Sequence, residues 1–120
     1  MIKGYKCFNK DMTNRYGIKF EVGKTYEAKG NIVYGNNGKG FHMAKRLEDT
    51  LRYFCASEEE VSICLVKGSG QIAASFDDYY GYYDIYSVQR LEIQKKLSRE
   101  EIIEFALKLH NERARRFISG

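Results

Sequence analysis

The stretch VSICLVK, Val61 to Lys67, constrains the fold of this chain more than any other. Its residues alternate, with Val61, Ile63 and Leu65 on one side and Cys64 and Val66 on the other. An edge strand facing water would be polar on one side. A strand apolar on both sides needs cover on both, so Val61 to Lys67 is expected in the middle of a sheet.

The neighbouring segments supply the rest of that sheet. Ile2 to Phe8 reads as the first strand, followed by a polar loop from Asn9 to Gly17. Ile18 to Val22 alternates and predicts a second strand, and Gly23-Lys24 turns the chain into a third, Thr25 to Ala28. Asn37-Gly38 is a strong hairpin signal, because both residues tolerate the positive φ of a type I′ turn. It predicts that Asn31 to Tyr34 pairs with Gly40 to Ala44. Further strands are read over Gly70 to Ser75 and Ser87 to Gln94.

Two segments change period. Leu47, Leu51 and Phe54 recur at helical spacing, which predicts a short helix from Arg46 to Cys55, with Glu48 and Asp49 in the first turn where the helix dipole favours acids. Ser98 and Glu101 form an S-x-x-E capping box, which predicts a long helix from Arg99 to Ile118. Ile102, Phe105, Ala106 and Leu109 would be its buried stripe. The fold class expected is α+β: a largely antiparallel sheet of six to seven short strands, one short middle helix and one long C-terminal helix. With 120 residues, no repeats and no linker-like stretch, residues 1–120 read as a single globular domain.

Composition removes several function classes. Hydrophobic content of 43% and charged content of 30% are ordinary for a soluble domain. No apolar run reaches the ~18 residues of a membrane span, and MIKGYKCFNKDM has no signal-like apolar stretch, so a membrane partner is not expected and the cytosol is the expected location. The three cysteines, Cys7, Cys55 and Cys64, are odd in number and lack a Cys-x-x-Cys pair, which fits free thiols in a reducing compartment. Proline and tryptophan are absent, which would suit a low-GC coding sequence, as in a low-GC bacterium or its phage.

Each candidate site has a plainer structural account beside it. The run G35-N-N-G-K-G40 lacks the Lys-Ser/Thr and following helix of a phosphate loop, and the hairpin accounts for its glycines. His42, Cys55, Cys64 and His110 have no metal-ligand spacing, so no metal is assigned and no cofactor is expected. Asp77 to Tyr86 holds Tyr79, Tyr80, Tyr82, Tyr83 and Tyr86 among three aspartates; tyrosines suit interfaces, and the acidic charge argues against stacking on nucleic acid. These tyrosines and Tyr53 are candidate ligand- or partner-binding residues. Arg113, Arg115 and Arg116 leave a nucleic-acid reading as a third choice, against which Glu104–Lys108 and Glu112–Arg116 read as a solvated helix face. His42 is expected to point away from the core pair Phe41 and Met43, as a strand histidine or as a wall of a cleft.

GYKCFNKDM (Gly4 to Met12), FEVGKTYE (Phe20 to Glu27) and GFHMAKRLEDTLRYF (Gly40 to Phe54) resemble a family of small uncharacterised bacterial and phage proteins. That resemblance implies a compact domain of mobile elements and brings no activity. The strand-then-helix pattern Gly40-Phe41-His42 and Leu47 to Phe54 is also similar to an element of ADP-ribosyltransferase-like folds. It would imply that Glu92 is the NAD-contacting glutamate and that His42 or Tyr53 lines the nicotinamide pocket. The chain departs from that pattern, with Lys6 where those enzymes carry Arg or His and no Ser-Thr-Ser segment. The reading favoured is a binding or accessory module with a protein or small-molecule partner. The alternative is an NAD- or nucleotide-using enzyme with His42 and Glu92 as its catalytic candidates.

Overall fold

The structure is a computed structural model that describes residues 1–14, 16–32, 40–53, 61–74 and 85–108. Its strands are β1 (Ile2–Asn9), β2 (Thr25–Glu27), β3 (Phe41–Ala44), β4 (Val61–Ala74) and β5 (Ile85–Lys96). A short helix α1 (Leu47–Tyr53) follows β3, and a helix α2 covers residues 99–108. All strand pairings are antiparallel, in the order β2-β5-β3-β1-β4, and β4 also pairs with β5. That last pairing closes β1, β3, β5 and β4 into a small barrel, and β2 extends it along the free part of β5.

Two long strands make closure possible. β4 pairs with β1 from Val61 to Gly68 and with β5 from Cys64 to Ala74. β5 has β4 along one edge, and β3 followed by β2 along the other. The β4–β5 register shifts between Ser69 and Ile72. Opposite that irregularity, Val88 and Leu91 both reach the core although they are three residues apart. An extra residue of this kind bends a strand and increases its twist, as a narrow barrel requires.

The core fills the barrel. Phe8, Phe20, Met43, Cys64, Val66, Val88, Leu91 and Ile93 are buried in one cluster, with Phe41, Tyr26 and Tyr86 packed against it. Two close approaches depend on glycine. A Cβ on Gly4 would lie 2.2 Å from the Ala44 carbonyl oxygen, and one on Gly68 would lie 2.6 Å from the Met43 sulfur. Val61 to Lys67 is covered on both faces, as its pattern requires: Cys64 and Val66 lie in the barrel, and Ile63 is buried on the other side. Outside the barrel α1 packs on β1 and β3, and Ala44, Leu47 and Ile85 are buried too.

Several expectations are corrected. The sheet has five strands, not six or seven, among the described residues. Val61 to Lys67 and Gly70 to Ser75 are not separate: β4 runs unbroken through Gly68 and Gly70 to Ala74, because Gly68 makes room for Met43 and Gly70 takes the φ of 78° that the bulge needs. Ile18 to Val22 is no strand; only an isolated bridge joins Thr13 and Lys19. β3 pairs with β1 and β5, and Asn31-Ile32 forms no strand. The predicted Asn37-Gly38 turn lies outside the described residues.

The start of the middle helix differs by one residue from the expectation. α1 begins at Leu47, since Arg46 stands before it as the cap: its carbonyl accepts from the Thr50 N–H at 3.2 Å. Its guanidinium grips the buried Asp49 carboxylate through Nε at 2.9 Å and Nη2 at 3.2 Å. α2 starts on the capping box: the Glu101 N–H donates to Ser98 Oγ at 3.1 Å, and the Ser98 N–H donates to Glu101 Oε1 at 3.2 Å. Ile102 and Phe105 are half-buried and Ala106 is exposed, so the buried stripe is narrower than the pattern suggested. The predicted continuation to Ile118 lies outside the described residues.

Candidate interaction surface

Between β1 and β2 the chain builds a tight loop from short polar side chains. Asp11 Oδ1 accepts from the Thr13 N–H at 3.1 Å and the Thr13 hydroxyl at 2.6 Å. Asn14 Oδ1 accepts from the N–H groups of Tyr16 at 2.9 Å and Ile18 at 3.0 Å. Asn9 Nδ2 donates to Thr13 Oγ1 at 3.1 Å and to the Asn14 carbonyl at 3.2 Å. Asn, Asp and Thr suit this role, because their side chains satisfy nearby backbone groups that no ladder serves. The main chain adds the Asn14 N–H to the Ile18 carbonyl at 2.9 Å, with Gly17 in the left-handed region at φ 82°. The result brings Thr13 and Asn14 tightly against Ile18 and Lys19.

Electrostatics reinforce the loop. The Thr13 hydroxyl and N–H hold the Asp11 carboxyl below the ordinary carboxylate range. Lys24 does the same for Glu21, which it meets in an ion pair, and Glu21 in turn raises the Lys24 ammonium. These groups lie at the surface, where such pairs contribute little to stability, so their effect here is to fix local geometry.

One side chain ties the loop to the barrel. Phe20 is 1% exposed and meets Phe8, Tyr26 and Phe41 with ring centroids 5.0, 4.7 and 6.0 Å away. The Tyr26 hydroxyl accepts from the Glu21 N–H at 2.8 Å. Met12, at φ 66°, closes the base: its carbonyl accepts from the Phe20 N–H at 2.9 Å, and its sulfur lies 3.8 Å from Cys64 Sγ. With Phe20 anchored, its apolar neighbours are left outside. Tyr16 is 70% exposed, Ile18 55% and Val22 50%. Single exposed apolar residues are ordinary, whereas three within seven residues of one loop make it a candidate contact surface.

The residues singled out from sequence are placed as follows. Phe41 and Met43 face the core, and His42 lies on the other face, half-buried and directly opposite Ser87 of β5. Glu92 sits between Thr25 of β2 and Lys67 of β4, and its Oε2 accepts from Gln94 Nε2 at 3.2 Å. The His42 and Glu92 rows are therefore five residues apart along β5, about 16 Å at strand rise. Tyr86 is paired with Met43 and packs against the core cluster. Tyr53 is the last residue of α1. Tyr79, Tyr80, Tyr82 and Tyr83 lie outside the described residues, as do Cys55 and the C-terminal arginines.

Among the described residues no three His, Cys, Asp or Glu side chains gather as metal ligands. Burial pushes the Cys64 thiol up to about 11, which keeps it protonated and unreactive at neutral pH. In the sequence this loop is disguised, because Ile18, Phe20 and Val22 imitate strand alternation. Its available signal was the Asn9, Asp11, Thr13 and Asn14 cluster ahead of Gly17, four turn-forming side chains in six residues.

A small closed antiparallel barrel that carries exposed apolar side chains on its β1–β2 loop is thus the class this chain represents. More specifically, the chain belongs to a family described as a domain of unknown function (DUF7666), whose model matches residues 2–104. That match agrees with the resemblance to an uncharacterised family. No curated protein and no solved structure matches the chain. No helix among the described residues is long and apolar enough to cross a membrane.

Proposed function

We propose that this domain is a binding module that docks a protein partner through the 13–22 segment, with Tyr16, Ile18 and Val22 as the contact side chains. The observation that carries the reading is their joint exposure on a loop whose backbone is already held by Asn9, Asp11, Thr13 and Asn14. A pre-ordered loop avoids most of the ordering cost on binding, about 0.5–1.5 kcal/mol for each immobilised side chain. Tyrosine at the tip offers broad amphipathic contact with few rotamers. The tyrosine-rich stretch from Tyr79 to Tyr83 belongs to the same proposal on composition alone.

The test is photo-crosslinking in the source cell from a reactive group placed at position 16, with and without Ile18→Ser and Val22→Ser. The expected result is one dominant protein adduct, lost in the double variant while the thermal midpoint stays within about 2 °C, since exposed side chains carry little stability. An adduct pattern unchanged by the serines would refute the reading. So would the absence of any protein adduct at position 16.

A further inference from the structure

The four seams of the barrel are unequal. β1 is registered against β4 from Ile2 to Asn9, and β4 against β5 from Cys64 to Ala74. β3 is registered against β5 along its whole length. Between β1 and β3 the register consists of the single pair Tyr5 and Ala44. Along an antiparallel strand the N–H and C=O of one residue point to the same neighbour, and successive residues alternate. The Ala44 carbonyl lies against Gly4, and the His42 carbonyl receives the Lys6 ammonium at 2.5 Å. His42 and Ala44 therefore address β1 with their main chains, and Phe41 and Met43 address β5.

Lys6 itself breaks the strand pattern. It stands on the inward row Gly4, Lys6, Phe8, opposite the buried Cys64, where an apolar side chain is expected. Its Nζ lies 5.7 Å from the Phe8 ring centroid and crosses to β3 just where the β1–β3 register ends. A charged side chain set there does what the ladder does elsewhere. From these observations we infer that the barrel opens along the β1–β3 seam, with Lys6 as the latch that closes it. α1, which packs on both strands from outside, spans the same seam. Opening separates β3 from β1 and leaves β3 on β5.

Amide exchange followed by NMR on the intact chain tests this residue by residue. In the wild type, the His42 and Ala44 amides exchange faster than those of Phe41 and Met43 in the same strand. Lys6→Met accelerates His42 and Ala44 by about tenfold or more, the scale of a lost charged hydrogen bond, while Val66, Leu91 and Ile93 keep their rates. Lys6→Arg, which keeps a donor, stays close to wild type. One common rate for all four β3 amides in the wild type overturns the inference, and that measurement stands even if Lys6→Met does not fold. Equal acceleration of β3, β4 and β5 by Lys6→Met also overturns it, because Lys6 would then be a general stabiliser.

Discussion

Phe20 joins the candidate surface to the barrel, so replacing it is the sharpest probe of how the two depend on each other. Its ring is 1% exposed, with three aromatic neighbours between 4.7 and 6.0 Å. A buried phenylalanine removes about 150–250 Å² from water, or about 4–6 kcal/mol at 25 cal/mol per Å² as an upper figure. Measured Phe→Ala costs of about 3–5 kcal/mol agree with that scale. A domain of this size has about 5–15 kcal/mol in total, so Phe20→Ala is expected to bring it near the edge of stability. Urea unfolding is the assay: with a slope of about 1–3 kcal/mol per molar, the midpoint should fall by about 2 M. Phe20→Leu, which retains most of the apolar volume, should lose less than half as much. A loss below about 1 kcal/mol for Phe20→Ala would mean that Phe20 does not anchor the loop to the barrel.

Gly4→Ala, although it adds only one methyl group, is expected to destabilise by about 1–3 kcal/mol or more, because the new carbon would lie 2.2 Å from a backbone oxygen of Ala44; an unchanged thermal midpoint would refute the close packing of β1 on β3. For Cys64 the folded thiol lies above its ordinary value of 9.0, at about 11, so the folded state favours the neutral form. Its contribution to stability is full below pH 9 and is lost as pH rises through 11, amounting to on the order of 2 kcal/mol. Urea midpoints measured from pH 8 to 11 should show that extra decline in the wild type and not in Cys64→Ala; parallel curves would refute the assignment.

Local signals in this chain were dependable where one local interaction dominates. The capping box at Ser98 and Glu101 forms as written, since both partners lie within one turn of helix. The stripe that begins at Leu47 gives α1 beside β3, and Phe41 and Met43 face the core as their spacing with His42 requires. The errors arose where a local pattern met a longer-range competitor. Ile18, Phe20 and Val22 alternate like a strand, yet Phe20 finds three aromatic rings and the segment leaves the ladder. Gly68 and Gly70 look like a break between two strands, although in the barrel they are what lets a single strand continue past Met43 and Gln89. Exposure of Tyr16, Ile18 and Val22 follows only from where Phe20 goes.

By itself, then, the sequence determined that the chain would be rich in antiparallel strands, that Val61 to Lys67 would be covered on both faces, and that helices would begin near residues 47 and 99. Alternation, helical spacing and capping are properties of neighbours along the chain, and they survive in any tertiary setting. The tertiary structure alone decided the closure of β4 on β5, the single-pair seam between β1 and β3, and the placement of Lys6 on the His42 carbonyl. Those features join residues tens of positions apart. They depend on the twist and bulge that bend two long strands into a ring, which no window of neighbouring residues contains.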